Sequence, residues 1–464
     1  MEIILKDLIK LWGKPINQEE IDLDLPVGRI STDTRTIEKG NFFIPLVGNK
    51  FDGHNFLEMA FDLGIQAAIV SAEFKGVVPN GLPHWVVSDT LSAYQQIALL
   101  HRRNLNLPVV AVTGSVGKTT TRELIRSILS SLGEIVSSRA NENNDIGVPK
   151  TLLRGTGGDA AYVLEMGMRG LGQIQRLSKI SEPDIAVITN VGQAHIGILG
   201  SRENIAKAKS EITSYLKSDG VVIIPFGDAL LEKAIREKWS GRIIRVAIEG
   251  FSLDWLRSDE YFAVKDIEPD YISQFDMQNN LISFEGIKLK LPLEGRHNAM
   301  NFLMALAVAT ELGLSIKNLN KLNINMPRGR NKLVNCGQFL VLDETYNASP
   351  ESVIASLELL VSKPGRHFAV LGTMLELGPE SISLHEKVLE RALELGLMGI
   401  VFVSCGEESK IVKTIIKKLP NHDVVRTPKD AAISLLSWLV PGDSILIKGS
   451  RKLELEKVLP YLRQ

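Results

Sequence analysis

Only two cysteines, Cys336 and Cys405, occur in 464 residues. That excludes a disulfide framework and a cysteine-rich metal site, and it suits a reducing compartment. Excess charge is missing as well: 53 basic residues face 54 acidic ones, for a formal net charge of −1. A broad polyanion-binding face is excluded, so nucleic acid is not an expected partner and any phosphate recognition has to be local. No apolar run approaches the ~18 residues a membrane span needs. The longest candidate, Ala431 to Val440, is broken by Ser434 and Ser437. The segment Met1 to Trp12 reads as an amphipathic helix without a basic leader and unbroken apolar core, so neither a signal peptide nor membrane insertion is expected. Repeats and low-complexity tracts are absent. With 44% hydrophobic and 23% charged residues, the class that remains is a globular protein, expected in the cytoplasm.

What is present centres on Val109-Val-Ala-Val-Thr-Gly-Ser-Val-Gly-Lys-Thr-Thr120. A buried-type strand runs into a turn carrying Gly114 and Gly117. Lys118, Thr119 and Thr120 then open a helix with apolar Leu124, Ile125, Ile128, Leu129 and Leu132. Glycines let backbone N–H groups of Ser115, Val116 and their neighbours close around phosphate oxygens, and the helix N-terminus adds its positive dipole end. The lysine supplies a point charge, and the threonine hydroxyl is a ligand for Mg2+. The common form of this loop has its outer glycine five residues before the inner one. Here Val112 stands at that place, so the loop is a shortened form.

Length implies a few domains, at ~100–200 residues each. Residues 1–104 read as a small α/β unit with a helix at Phe56–Leu63, a strand at Ala67–Val70 and a helix at Leu91–Leu105. Residues 105–326 hold strand-like runs at Val109–Val112, Ala161–Glu165, Ile185–Thr189 and Val221–Pro225, with helical patterns between most of them. That alternation predicts a mostly parallel P-loop-type sheet. The texture between about 240 and 293 changes, and Ile287-Lys-Leu-Lys-Leu291 alternates at period two, which predicts a small antiparallel insertion. Helical spacing returns at Asn298–Leu312. Residues 327–464, with runs at Phe339–Asp343, Phe368–Leu371, Ile400–Ser404 and Ser444–Ile447, predict a smaller, Rossmann-like doubly wound domain.

Ligands of such sheets sit beyond the carboxyl ends of strands. That rule gathers Gly114–Thr119, Glu165 and Asn190–His195 on one edge. Glu165 is either an Mg2+ ligand, since that ion prefers oxygen, or a capping acid. His195 is either a site residue or a structural imidazole. Lys209 reads from pattern alone as part of a solvated helix face, no different from Lys207. Asn141-Glu-Asn-Asn-Asp-Ile-Gly147, with Asn143 and Asn144, is a polar, turn-prone segment that reads as a plain loop. Arg330 is either a surface arginine or one that reaches a transferring phosphate. Lys448-Gly-Ser-Arg451 falls at a ligand edge of the last unit.

Together these segments resemble the Mur ligase family, ATP-dependent amide ligases of peptidoglycan precursor synthesis. The shortened loop Thr113–Thr120 is that family's form of the cradle, and the resemblance covers all three units. Asn143-Asn-Asp-Ile-Gly-Val-Pro149, Leu164-Glu-Met-Gly167, Thr345-Tyr-Asn-Ala-Ser-Pro350, Val370–Gly378 and Lys448–Arg451 are most similar to the members that add D-alanyl-D-alanine to a UDP-N-acetylmuramoyl tripeptide. The resemblance implies that Lys118 and Thr119 hold the ATP phosphates and Mg2+. It implies that Glu165 and His195 are metal-site residues and that Lys209 is carbamylated by CO2. Asn298 would lie at adenine. Arg330 and Asp343, with Tyr346 and Asn347 nearby, would close on ATP. Ser31, Thr32, Asp33 and Arg35 would engage the UDP-sugar, with Asn143 and Asn144 also on the substrate side. A monomer is expected. The tripeptide's third residue is lysine or diaminopimelate. One position departs from the pattern: Thr373 stands where the family usually has aspartate, which puts any role of that acid in doubt.

Two rival readings are weighed against this one. Another ligase of the same family would add a single amino acid, but the Asp-Asn-Pro-Arg segment of diaminopimelate addition is absent. A GTPase-like switch would carry Asn-Lys-x-Asp, and Asn331-Lys-Leu-Val334 lacks the acid.

Overall fold

The computed structural model describes residues 3–463 except 18, 20, 49, 251–266, 320, 321, 323 and 405. Cys405 therefore lies outside the described residues, as do the first two residues of the predicted N-terminal helix and the middle of the predicted insertion. Cys336 is a buried free thiol.

Three sheets organise the chain. The first has four parallel strands in the order β1 (Ile30–Ser31), β2 (Phe42–Phe43), β3 (Ala67–Ser71) and β4 (His84–Val87). The helix Leu5–Trp12 buries Leu5 and Leu8 in this unit's core with Phe42, Ile69 and Trp85.

The second sheet has nine strands: β5 (Val109–Thr113), β6 (Glu134–Ser137), β7 (Asp159–Glu165), β8 (Ile185–Ile188), β9 (Val221–Pro225), β10 (Arg242–Ile248), β11 (Tyr271–Asp276), β12 (Leu281–Phe284) and β13 (Ile287–Lys290). Their order is β13-β12-β11-β10-β9-β8-β5-β7-β6. Strands from β6 to β11 pair in parallel, and only β11-β12-β13 are antiparallel. The predicted insertion is thus not a separate piece: β10 lies parallel to β9 inside the main sheet, and the antiparallel hairpins extend its edge. β13 does show the expected alternation, with Leu289 buried between exposed Lys288 and Lys290.

Every residue of β5 is buried, and the helices Lys118–Leu129 and Arg296–Glu311 pack together over one face of this sheet. Their apolar faces share a core with Val110, Val112, Val163 and Val187. Because β5 sits between β7 and β8, the chain reverses its direction of travel around it, which opens a crevice at its carboxyl end.

The third sheet runs β14-β15-β19-β16-β17-β18. Its members are β14 (Lys332–Cys336), β15 (Phe339–Asp343), β16 (His367–Gly372), β17 (Gly399–Val403), β18 (Asn421–Val425) and β19 (Ser444–Lys448). Only β14 is antiparallel to its neighbour. One cluster of buried apolar side chains includes both Ile196 and Leu199 of the second unit and Val353, Met374 and Leu377 of the third.

The helix Thr90–Leu105 is shared by the first two units. Ala93, Tyr94 and Ile97 pack into the first unit's core, while Ala98 and Leu105 belong to the next one. Buried Arg102 donates to the carbonyls of Ser181 (2.8 Å) and Glu182 (3.0 Å), and His101 Nε2 lies 2.9 Å from the Gly155 carbonyl. No helix among the described residues is long and apolar enough to cross a membrane.

Candidate active site

The loop between β5 and the helix Lys118–Leu129 depends on two glycines with positive φ, Gly114 (+151°) and Gly117 (+83°). A Cβ at 114 would overlap the Thr189 hydroxyl at the end of β8. The loop is braced from that side: Thr189 Oγ1 donates to the Val116 carbonyl (2.5 Å) and Val116 N donates to Asn190 Oδ1 (3.0 Å). Ser115 Oγ accepts from Gly192 N at 2.9 Å. Lys118 curls back, its Nζ donating to the carbonyls of Gly114 (2.7 Å) and Ser115 (3.1 Å). Burial brings its pKa down to about 8, with Glu165 opposing that shift and Arg330 adding to it.

Glu165 closes β7 and is 2% exposed. Thr119 Oγ1 (2.8 Å) and Arg122 Nη1 (3.1 Å) both donate to its Oε2, and Asn143 Nδ2 donates to Oε1 (2.9 Å). Burial alone would raise its pKa. The positive charges of Arg122, Arg330 and Lys118 outweigh that and hold it below the usual carboxylate range. Asn143 therefore touches the site directly. Asn144 is used locally, its Oδ1 accepting from the backbone of Ile146 and Gly147 at the start of the helix Gly147–Leu152.

Lys209 is 1% exposed, near the end of the helix Arg202–Ser210. Its pattern suggested a solvated lysine; the structure buries it without a hydrogen bond or ion pair among the described residues. Burial and the charge of Lys118 push its pKa well below the ordinary lysine value, against the pull of Glu351. His195 has a left-handed backbone (φ +68°), and its Nδ1 lies 2.6 Å from Glu376 Oε2. Burial and the charges of Lys118 and Lys209 lower its pKa, while Glu376 acts the other way.

The third unit supplies the opposite wall. Arg330 stacks its guanidinium 3.8 Å from the centre of the Tyr346 ring, and its Nε is buried without a partner. Its charge acts on both Lys118 and Glu165. Asp343, at the end of β15, accepts from Thr345 Oγ1 at 2.7 Å. The Asn347 carbonyl accepts from Lys448 Nζ at 3.1 Å. Asn298 Nδ2 donates to the Glu294 carbonyl (2.6 Å) and Asn331 Oδ1 (3.0 Å), while its Oδ1 is buried and unpartnered. Asn331 also reaches Thr120 Oγ1 at 3.3 Å, tying the third unit to the phosphate loop.

Arg328 is exposed with no partner among the described residues. Thr373 is buried and donates to Glu408 Oε1 at 2.6 Å. Thus the charge absent at 373 is present one side chain away, on a buried glutamate.

Away from the loop, Ser31, Thr32, Asp33 and Arg35 lie at the end of β1. Arg35 and Asp33 form an ion pair at 2.6 Å, which draws the Asp33 pKa down to about 2. Ser31 Oγ donates to the Asp33 carbonyl at 3.0 Å. Between this unit and the next lies a cleft of about 1060 Å3 lined by Arg29, Arg122, Arg126, Ser138, Arg139 and Arg154.

Residues not singled out by the sequence reading complete the site: Arg122, Glu351, Glu376 and Asn331. Only Arg122, four residues past Lys118 on the same helix, carried a local signal.

The comparisons with known proteins agree with this geometry. Residues 112–309 match the Mur ligase middle domain and residues 329–451 the Mur ligase glutamate ligase domain. The chain is 38% identical over 442 residues to a UDP-N-acetylmuramoyl-tripeptide–D-alanyl-D-alanine ligase from Synechocystis sp., covering 95% of this chain and 92% of that one. It is similar to crystallised MurF from Acinetobacter baumannii (TM-score 0.85, 31% identity, 99% and 98% of the two chains). It is also similar to MurF from Thermotoga maritima in complex with ADP (TM-score 0.80, 28% identity, 94% and 97%). With both domain models matched and relatives above 30% identity aligned over nearly the whole of both chains, the chain belongs to the Mur ligase family.

Proposed function

We propose that this chain is the ATP-dependent amide ligase that joins D-alanyl-D-alanine to a UDP-N-acetylmuramoyl tripeptide, releasing ADP and phosphate in peptidoglycan precursor synthesis. The observation that carries it is the convergence of the Lys118–Glu165 cluster with buried Lys209 and with Arg330 and Glu351 of the third unit. The names of the full-length relatives supply the substrates.

The tripeptide's terminal carboxylate attacks the γ-phosphorus of ATP, and the bond to the bridging oxygen of ADP breaks. The amine of the dipeptide then attacks the acyl carbon of the resulting acyl phosphate. The carbon–oxygen bond to phosphate breaks, phosphate departs with the electron pair, and the proton shed by the nitrogen passes to solvent. Phosphoryl transfer needs positioning and charge neutralisation. Lys118 leaves the loop carbonyls for the outer phosphates, and Arg330 meets them from the other wall. The Thr119 hydroxyl and Glu165 offer hard oxygen donors, a set that fits an ion mostly ligated by phosphate. Among the described residues no group of three or more His, Cys, Asp or Glu could hold a metal by itself. Thr119 and Glu165 would hold Mg2+, with His195 and Lys209 as its carbamate beside it; bound there, the ion neutralises phosphate charge. The depressed pKa of Lys209 favours the neutral amine that CO2 requires.

The three units divide the work: 1–104 takes the uridine end, 105–326 ATP, and 327–464 the dipeptide. The arginine-lined cleft suits the diphosphate and carboxylates of the muramoyl substrate, and the unpartnered Asn298 Oδ1 suits an adenine amino group. We place the enzyme in the cytoplasm, acting as a monomer.

The test is product mass after mixing ATP, UDP-muramoyl tripeptide and D-alanyl-D-alanine, with ADP release measured as each is withheld. Pentapeptide product and ADP release dependent on the tripeptide are expected. ADP formed at full rate without the dipeptide would defeat coupled ligation.

A further inference from the structure

Glu351 is the second residue of the helix Pro350–Leu360, and it is 4% exposed although the helix belongs to the third unit. It is carried across the interface into the ligand edge of the central sheet. Its Oε1 accepts from Gln193 N at 2.6 Å, while Oε2 is buried without any partner. The opposing backbone is glycine: a Cβ on Gly192 would lie 2.7 Å from the Glu351 carboxyl carbon. The neighbouring charge is Lys209, also buried, whose ammonium makes no side-chain hydrogen bond among the described residues. The two attract each other, yet no ion pair within 4 Å joins them. A buried carboxylate oxygen is costly without a donor, so the site is built for a cationic donor that arrives with a substrate.

We propose that Glu351 Oε2 receives the ammonium group of the incoming D-alanyl-D-alanine and holds it beside the acyl carbon; the group loses one proton to solvent before its nitrogen, then a neutral amine with a free electron pair, attacks. The assignment rests on the ligation proposed above and names the residue that seats its second substrate. An ammonium offers three donors, one of which satisfies Oε2. If Lys209 carries its carbamate, the pocket holds two anionic groups and selects a cation more strongly. Because the carboxylate belongs to the third unit and its Gln193 anchor to the second, the seat is complete only when those units are together, after the acyl phosphate is enclosed.

The test uses the full-length enzyme with Glu351→Gln, Glu351→Asp and Gly192→Ala. Expected for Glu351→Gln is a KM for D-alanyl-D-alanine raised ~10-fold or more, as for loss of one charge-assisted hydrogen bond. The KM for ATP and the Mg2+ concentration for half-activity should stay within ~2-fold, and ATP positional isotope exchange without dipeptide should persist. Glu351→Asp should recover part of the loss. Gly192→Ala, which displaces the carboxylate without removing it, should raise the same KM, and retained ADP binding certifies the fold of each variant. An unchanged dipeptide KM overturns the assignment, as does a shifted Mg2+ requirement, which would make Glu351 a metal ligand. A wild-type enzyme that makes no pentapeptide while hydrolysing ATP overturns the reaction itself, a result visible before any variant is made.

Discussion

The two walls of the cleft are built alike and loaded differently. Each is the carboxyl edge of a largely parallel sheet. On the central edge the polar groups already hold one another: Thr119, Arg122 and Asn143 converge on Glu165, and Lys118 sits on its own loop carbonyls. On the opposing face, Arg330 Nε and Glu351 Oε2 are buried without a partner, as are Arg122 Nε and Asn298 Oδ1 on the central side. If nucleotide binds at the central edge as proposed, it exchanges one set of hydrogen bonds for another there. Under the proposed reaction, the unpartnered groups of the transfer side would be satisfied only when substrate arrives, which would place binding energy where bonds change.

The sharpest way to break this comparison is Lys118→Ala. Ligation should fall by ~1,000-fold or more, because a preorganised charge on the transferring group is lost; steady-state kcat/KM for ATP measures it. Lys209→Ala should cost at least ~100-fold, with partial rescue by short carboxylic acids, and intact mass should show one CO2 added to the wild type. Full activity in that variant would remove Lys209 from the chemistry. Arg330→Ala should lower kcat by ~100-fold with less change in nucleotide affinity, if its role is confined to the transition state. An equal loss in ADP binding, read by calorimetry, would instead make it part of the nucleotide-binding wall.

A smaller effect is a pH dependence. The unliganded protein holds the Lys118 pKa near 8, below the ordinary lysine value. Nucleotide phosphates favour the charged form, so binding above that pH takes up a proton and ADP affinity falls by up to ~10-fold per unit. The stability of the unliganded protein runs the other way, rising between pH 8 and the ordinary lysine range, because there the unfolded chain binds the extra proton. Lys118→Ala should abolish both slopes. The smallest change expected is Thr373→Val, about 1 kcal/mol of stability from one hydrogen bond to Glu408, followed by thermal denaturation.

The sequence made the central edge legible because its parts are local. Gly114, Gly117, Lys118 and Thr119 occupy six residues, and Glu165 and His195 each follow a strand rich in valine, isoleucine or leucine. Most of the strands missed have incomplete or interrupted burial, while β2, buried at both residues, is too short to read as a run. β14 and β18 lie at the edges of the third sheet and β6 at the edge of the second, where one side is wet and the apolar run is short. β10, though mostly buried, was absorbed into the alternating texture that follows it. Lys209 was misjudged from pattern because nothing in Ala-Lys-Ser-Glu announces that its turn faces the interior. Glu351 and Glu376 escaped for a different reason. Their significance arises only when the third unit meets Gly192, Gln193 and His195, between 158 and 181 residues away along the chain.

The helix Thr90–Leu105 has a mechanical implication. Clamped at one end into the first unit's core and stapled at the other through Arg102 and His101 to the second unit's backbone, it works as a rigid splint. Under the proposed division of labour, the first two units would therefore move as one body, and closure over the substrates would be left to the residues beyond 327.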